Sequence, residues 1–276
     1  MLVTSKQMIL DAKRGGYAVG CFNTSDLEIT KAIIKAAEAQ LSPVMVATSE
    51  KAIQYGGIET LAALIRQEAE NAKVPVALHL DHGKSLHIVK VCLEAGYTSV
   101  MIDGSDMLLG ENIALTHQAA MMAHVADVPC EGELGALGKA GKSESQFTNP
   151  EDVLEFVKKT EVDFLAISIG SSHGVADDEK LNLNLLNQIK AFTDIPLVLH
   201  GGSGIPDNDV KKVIANGICK VNIDTDIRHE FTKDLREVLK DHPEEQDPRE
   251  ILEEVMVGVQ NLVERKIKLF GSNNKA

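Results

Sequence analysis

Short apolar stretches alternate along the chain with longer amphipathic ones. Between the apolar stretches, apolar residues recur at helical spacing, for example over residues 27–40, 58–71, 113–125 and 210–216. The apolar stretches are rich in Val, Ile, Leu or Ala, and their length is typical of buried strands. This repeated alternation predicts an α/β fold. We predict strands over residues 17–23, 43–49, 74–81, 99–104, 128–135, 164–170, 196–203 and 218–225.

The number of strand–helix units distinguishes two α/β architectures. Eight units in about 250 residues fit a (β/α)8 TIM barrel, whereas an open doubly wound sheet usually has fewer strands and a glycine-rich loop after the first. No such loop follows Asn23. Apolar residues at helical spacing over 248–270 predict an extra C-terminal helix outside the barrel. We therefore expect residues 1–276 to form a single (β/α)8 barrel domain.

Composition and charge narrow the classes of partner and compartment. The net charge of −13 argues against nucleic acid or an anionic membrane as a partner, because clustered Lys and Arg hold phosphate-rich surfaces. The four cysteines show no Cys-x-x-Cys spacing, which favours buried thiols in a reducing compartment. No signal-peptide core opens the chain, and no apolar run approaches the ~18 residues of a membrane span. We expect a cytoplasmic protein.

Three histidines carry the clearest chemical signal. His82, His173 and His200 each lie near the end of an apolar stretch, far apart in the chain. If those stretches are parallel strands of one barrel, the three imidazoles converge on one point. Three neutral imidazoles with an open fourth position describe a catalytic zinc site.

Polar residues follow every predicted strand. Active sites of such barrels lie at the carboxyl ends of the strands. A single polar residue there is usually a capping residue, but a complete set is hard to explain that way. The set contains Asn23, Ser49, Asp81 with His82, Asp103, Glu133, the His173 turn, His200 with Ser203, and Asn222 with Asp224 and Thr225.

Several of these segments together resemble one known family, the class II, zinc-dependent ketose-bisphosphate aldolases, which include fructose- and tagatose-bisphosphate aldolases. The resemblance covers essentially the whole chain. It implies reversible cleavage of a ketose 1,6-bisphosphate into dihydroxyacetone phosphate and a phosphorylated aldehyde, which is glyceraldehyde 3-phosphate when the substrate is fructose 1,6-bisphosphate. It also suggests a homodimer or homotetramer. The segments are AVGCFN at 18–23, LHLDHG at 78–83, MIDGS at 101–105, EGELG at 131–135, HGGSG at 200–204, VNIDTD at 221–226 and FGS at 270–272.

The resemblance also implies roles for individual residues. His82, His173 and His200 are expected to hold a catalytic Zn²⁺. Asp103 and Glu133 are expected near an alternative or second metal position. The expected acid and base for the C4 hydroxyl is Asp81, which precedes a metal ligand in the chain. A base must lie within ~3 Å of the proton it removes, and a strand-end carboxylate beside the metal meets that need.

Phosphate binding is expected in the loops after the seventh and eighth strands, where barrels commonly hold phosphate. The resemblance implies a monovalent cation, Na⁺ or K⁺, nearby. Arg228 matches a position that meets the distal phosphate in fructose-type members, which favours fructose 1,6-bisphosphate; the alternative for Arg228 is a surface ion pair with Glu230 or Asp226. The other expected substrate-binding residues are Asn23, Ser49, Gly174, Gly201, Gly202, Ser203, Asn222, Asp224 and Thr225.

One segment departs from the family pattern. Family members usually carry Gly-Gly-x-Glu-Asp after the fifth strand, where the glutamate moves a proton on carbon; here residues 138–142 read GKAGK, which places Gly141 at the glutamate position. Glu144 is one candidate for a relocated base. The alternatives are an aldolase for tagatose bisphosphate or a deoxy-keto-gluconate phosphate, and a weakened sugar-phosphate-binding protein. A Schiff-base aldolase is disfavoured, because Lys220 is expected at the wrong end of its strand.

Overall fold

Eight parallel strands close into a barrel, in the order β1-β10-β9-β7-β5-β4-β3-β2. The computed structural model describes residues 1–139, 146–174 and 180–276, without the side chains of Lys139 and His173. Two further short strands, β6 and β8, pair beside the barrel. The strands are β1 (Val19–Asn23), β2 (Val44–Ser49), β3 (Val76–Gly83), β4 (Ser99–Ile102), β5 (Cys130–Leu134), β6 (Gly138–Lys139), β7 (Phe164–Ile167), β8 (Ser172–His173), β9 (Leu197–Leu199) and β10 (Ile218–Ile223).

Helices surround the barrel, and the C-terminal one has the predicted bounds. The TIM barrel with an extra C-terminal helix is thus confirmed. The helices of the described residues are α1 (Ser5–Gly15), α2 (Leu27–Ala39), α3 (Glu50–Gly56), α4 (Ile58–Asn71), α5 (Leu86–Glu94), α6 (Leu109–Val125), α7 (Pro150–Thr160), α8 (Leu183–Lys190), α9 (Asp207–Ala215), α10 (Thr225–Asp241) and α11 (Pro248–Phe270). None of these described helices is long and apolar enough to cross a membrane.

The core has two layers because side chains alternate across each strand. In β1, Cys21 belongs to the cluster inside the barrel, while Phe22 belongs to the cluster between barrel and helices. Met8 and Ile9 of α1 join the inner cluster and close the barrel at its N-terminal end. The chemistry is therefore confined to the opposite, carboxyl end. All four cysteines are buried and reduced, as predicted.

Several strands end earlier than predicted. β9 ends at Leu199 and β7 at Ile167, several residues short of the predicted ends at Ser203 and Gly170. Gly170 has φ +116° and Gly201 has φ +66°, values that leave the extended conformation. Asp103, His200 and Ser203 therefore lie in loops just beyond the strands, whereas Asn23, Ser49, Asp81, His82, Glu133 and Asn222 lie within them.

Candidate active site

A bulge in β3 brings two consecutive residues to the site. Leu80 pairs with Val100 and Gly83 with Ile102, so Asp81 and His82 share the space opposite one residue of β4. His82 has φ +50°, in the left-handed region. Neighbouring strand residues normally point to opposite faces, and a bulge of this kind re-aims one of them. This local geometry is why both the Asp81 carboxylate and the His82 imidazole reach the barrel mouth.

Two imidazoles face each other at the centre of the site. Nε2 of His82 lies 2.8 Å from Nδ1 of His200. The other ring nitrogens bind carboxylates: His82 Nδ1 lies 2.8 Å from Asp103 Oδ2, and His200 Nε2 lies 2.7 Å from Glu131 Oε1. An ionised carboxylate only accepts, so these outer nitrogens carry the hydrogens and both facing nitrogens present lone pairs in the neutral rings. A cation, either a proton or a metal ion, must satisfy them.

This donor set fits a zinc ion. Imidazoles that donate their second nitrogen to a carboxylate are typical of metal ligands. Ligand atoms of Asp81, His82 and His200 lie within 4.8 Å of one another, and so do those of His82, Asp103 and Glu133. Four of the five predicted metal ligands are thus brought together. His82 belongs to both groups.

The fifth predicted ligand, His173, lies in β8, and its side chain is outside the described residues. Its backbone neighbourhood is described. A Cβ atom added to Gly201 would overlap the carbonyl oxygen of Ser172, so the β8 backbone lies against the loop that follows His200. Gly141 and Glu144 also lie outside the described residues.

The carboxylates of the site create a negative electrostatic potential that favours positive charge. Burial lowers the pKa of His82, but the carboxylates of Asp81, Asp103 and Glu133 outweigh it and raise that pKa to about 10. Burial raises the pKa of Glu133 to about 8. Without a metal, a proton occupies His82 at neutral pH. A metal ion competes for the same position because it needs the neutral ring.

Two amides hold the Asp81 carboxylate. Asn23 Nδ2 donates to Oδ2 and Asn222 Nδ2 donates to Oδ1, each at 2.8 Å. Burial alone raises the pKa of Asp81, but the His82 and His200 rings, Lys220 and the Asn23 amide together lower it to about 2. Asp81 is therefore an ionised, fixed carboxylate beside the two imidazoles, which is what a general base requires.

A buried ion pair lies inside the barrel next to the site, and the sequence did not predict it. Lys220 Nζ lies 2.9 Å from Glu131 Oε2, and both side chains are 0% exposed. Burial lowers the pKa of Lys220, but Cys21, Glu131 and Asp81 outweigh it and raise that pKa. Lys220 lies near the start of β10, as predicted, and its side chain points into the barrel toward Glu131. A protonated, paired amine is no Schiff-base nucleophile, so that mechanism stays disfavoured.

The loops after β9 and β10 lie side by side. The Gly202 N–H donates to the Asn222 carbonyl at 3.1 Å, and Ser203 Oγ accepts from the Asp226 N–H at 3.1 Å. Thr225 begins α10. The predicted phosphate-binding residues of these loops are therefore adjacent. Gly174, which follows β8, has φ +114°.

A cavity of about 310 Å³ opens beside Asn23 and includes Ser49, Asp224 and Arg228 in its lining. Arg228 binds both carboxylate oxygens of Asp224, each at 2.9 Å. The alternative considered for Arg228, a surface pair with Glu230 or Asp226, is therefore wrong in its partner, which is Asp224. Those acids pair with other lysines, Asp226 with Lys266 at 2.6 Å and Glu230 with Lys233 at 3.2 Å.

A closed (β/α)8 barrel with imidazole and carboxylate groups gathered at its carboxyl end defines an enzyme of the TIM-barrel class with a candidate metal site. A family model described as class-II fructose-bisphosphate aldolase matches residues 3–275. The chain belongs to this family of class II aldolases, which are carbon–carbon lyases.

Relatives and solved structures agree over the full length. The chain is 41% identical to a fructose-bisphosphate aldolase of Geobacillus stearothermophilus, over 100% of this chain and 99% of that protein. It is 39% identical, with the same coverage, to a fructose-bisphosphate aldolase of Staphylococcus aureus. The YdjI aldolase of Escherichia coli K12 superposes with a TM-score of 0.91 at 33% identity, covering 100% of both chains. A putative aldolase of Coccidioides immitis gives a TM-score of 0.89 at 28% identity, over 98% of this chain and 96% of that one.

Proposed function

We propose that the protein catalyses the reversible aldol cleavage of fructose 1,6-bisphosphate into dihydroxyacetone phosphate and glyceraldehyde 3-phosphate, with one zinc ion held by His82, His173 and His200. The observation that carries the proposal is the pair of facing imidazole nitrogens, 2.8 Å apart, beside a fixed carboxylate. The names of the full-length relatives support the choice of substrate.

Asp81 starts the cleavage in this proposal. One of its carboxylate oxygens takes the proton of the C4 hydroxyl, the C4–O bond becomes a carbonyl, and the C3–C4 bond breaks. The electron pair stays on C3 of the ketone half, which takes up a proton from solvent to give dihydroxyacetone phosphate, and Asp81 returns its proton to solvent. When bound, zinc withdraws charge from the ketone oxygen and stabilises that half. Asn23 and Asn222 keep Asp81 oriented throughout, since each donates to a different oxygen of its carboxylate.

The two adjacent loops would bind the phosphate of the ketone half. Backbone N–H groups of Gly201 and Ser203, and the start of α10 at Thr225, would form a surface suited to an anion, while the Gly202 N–H holds the two loops together through the Asn222 carbonyl. Gly174 and a monovalent cation complete this proposed cradle. Arg228 would bind the distal phosphate in the cavity that Ser49 also lines. To do so, its guanidinium would either bind the phosphate and Asp224 together or break its ion pair with Asp224.

The test measures release of dihydroxyacetone phosphate from fructose and tagatose 1,6-bisphosphates, with chelator and after zinc is restored. We expect cleavage of the fructose sugar that disappears with chelator and returns with zinc. Asp81→Asn should lower the rate about 10²–10⁴-fold, the usual contribution of a general base. Asp209→Asn, on the exposed side of α9 and paired with Lys212, is the matched control and should leave the rate unchanged.

Three outcomes would change the assignment. A preference for tagatose 1,6-bisphosphate would keep the chemistry and replace the substrate. Cleavage that is insensitive to chelator would contradict the metal. Metal-loaded protein that binds either sugar without cleaving it would be a sugar-phosphate-binding homologue instead of a working aldolase.

A further inference from the structure

Lys84 brings an ammonium group to Asp103, one of the two carboxylates of the second predicted metal position. Its Nζ lies 2.8 Å from Asp103 Oδ2 and 3.9 Å from Asp106 Oδ1. The same Oδ2 atom of Asp103 accepts from His82 Nδ1 at 2.8 Å. One carboxylate oxygen is therefore shared between a ring N–H and an ammonium, and the other, Oδ1, accepts from the Ser105 hydroxyl at 2.7 Å.

Backbone bonds fix this arrangement. The Asp103 N–H donates to the Gly83 carbonyl at 2.8 Å, which joins the loops after β3 and β4. The Lys84 N–H donates to Glu50 Oε1 at 2.6 Å, which ties the same loop to the start of α3. The main chain thus holds the loops that carry Lys84 and Asp103 side by side.

Glu133 completes a group that needs positive charge. Its side chain is 1% exposed, and among the described residues its Oε2 accepts no hydrogen bond. Oε2 lies 3.4 Å from His82 Nδ1, and ligand atoms of His82, Asp103 and Glu133 lie within 4.8 Å of one another. A carboxyl group buried in this way stays ionised at neutral pH only with a cation beside it, and otherwise takes up a proton. Within the described part of the chain, the His82 ring lies beside both carboxylates and Lys84 lies beside Asp103.

We propose that the Lys84 ammonium replaces a second divalent cation at Asp103 and Glu133, so that this chain holds a single metal ion, at the histidines. The inference rests on the proposed function, since it takes the first metal to be bound by His82 and His200. It follows that removal of the ammonium opens a carboxylate site for a second ion. Carboxylate ligands suit Mn²⁺.

The test uses Lys84→Met, with Lys84→Arg as the charge-conserving variant. Lys90→Met is the matched control, because Lys90 is an exposed lysine of α5 paired with Glu94 at 3.7 Å. Each chelator-stripped protein receives one equivalent of Zn²⁺ and is then titrated with Mn²⁺, and free Mn²⁺ is followed by electron paramagnetic resonance. Elemental analysis counts the bound zinc.

We expect wild type, Lys84→Arg and Lys90→Met to keep one zinc and bind Mn²⁺ only weakly. Lys84→Met should bind one additional Mn²⁺ at least about tenfold more tightly, because a unit charge a few ångströms away is removed. One zinc in wild type with no gain in Lys84→Met overturns this inference alone. Two tightly bound ions in wild type also overturn it. A wild-type protein that binds no zinc overturns both this inference and the proposed function.

Discussion

Residues inside the barrel set the orientation of the His200 ring. Glu131 accepts the Nε2 hydrogen of His200, so the Nδ1 lone pair points at His82. Lys220 in turn binds the second oxygen of Glu131. A buried ion pair gains little net stability, because desolvation of both charges offsets their attraction. The geometry assigns this pair a positioning role: it fixes the tautomer of His200, a proposed metal ligand.

We predict that the double variant Glu131→Gln/Lys220→Met folds but binds zinc about 10–100-fold more weakly, the usual effect of losing a partner of a metal-bound imidazole. Competition with a chromophoric chelator measures the affinity. The double change is needed because Lys220→Met alone leaves Glu131 buried and unpaired, which typically costs about 3–5 kcal/mol.

The control for this variant is Glu155→Gln/Lys159→Met, which removes an exposed pair of α7 with an Nζ–Oε1 distance of 2.7 Å. Exposed pairs contribute little, and this one is remote from the metal ligands. Its zinc affinity should equal that of wild type. If the buried double variant also retains wild-type affinity, the pair only fills space and positions nothing.

Alternation along the strands explains which site residues the sequence could predict. The strand-end rule identified Asp81, Asn222 and Glu133 because polar residues there break an apolar run. Glu131 and Lys220 lie two residues earlier, on the same inward face as Glu133 and Asn222. A period-two extension of the rule would have found them. The contacts that Glu131 and Lys220 make could not be predicted from the sequence, because they depend on how the strands close into a barrel.

At the scale of elements, the loop after β9 packs closely against β8 and has little conformational freedom. Gly201 has φ +66°, and a Cβ atom there would overlap the Ser172 carbonyl oxygen. Gly16, which ends α1, has nearly the same φ of +65° but no heavy atom of the described residues within 4 Å of an added Cβ. Alanine substitutions at these two glycines therefore distinguish the cost of backbone strain from the cost of steric crowding.

We predict that Gly16→Ala costs about 1–2 kcal/mol of unfolding free energy, the price of a left-handed alanine. Gly201→Ala should cost more, because the loop must also move away from β8. It should also weaken zinc binding, since His200 immediately precedes it. Urea unfolding and chelator competition measure the two effects. Equal losses of stability in both variants, with zinc affinity unchanged, would contradict the close packing of this loop.

The sequence predicted elements with strong periodicity and missed those that depend on tertiary contacts. The bounds of α11 were predicted correctly, because apolar residues recur regularly from Pro248 to Phe270. The short α3 was missed, since seven residues cannot show a reliable period. The bulge at His82 was also missed, because a left-handed histidine has no composition signal. Pairing with β4 is what reveals it.

At the scale of the whole molecule, Asp163 fastens the N-terminal end of the barrel. Its Oδ1 binds Lys6 of α1, and its Oδ2 binds His124 of α6 and the Cys130 N–H at the start of β5, each at 2.9 Å. Three separate parts of the chain therefore meet at one carboxylate, at the end of the barrel opposite the candidate metal site. Burial raises the pKa of Asp163, but Lys6, the Cys130 N–H and His124 outweigh burial and lower that pKa.

This pKa direction sets the sign of a pH dependence. A carboxyl group whose pKa is lower in the folded state stabilises the fold above its unfolded pKa of about 3.9, and this contribution is lost as the pH falls through the folded pKa. We predict that Asp163→Asn is less stable than wild type by about 1–3 kcal/mol near neutral pH, the range for hydrogen bonds to charged groups. The difference should shrink as the pH falls below about 4.

Urea unfolding of both proteins across this pH range measures the difference in unfolding free energy. Asp11→Asn is the control, since Asp11 forms an exposed pair with Arg14 on the same helix as Lys6, and its effect should stay within about 0.5 kcal/mol. If the difference in unfolding free energy between Asp163→Asn and wild type does not change with pH, packing and not the charge of Asp163 stabilises this end of the barrel. Zinc affinity should be unchanged in both variants, because the barrel core separates Asp163 from the metal ligands.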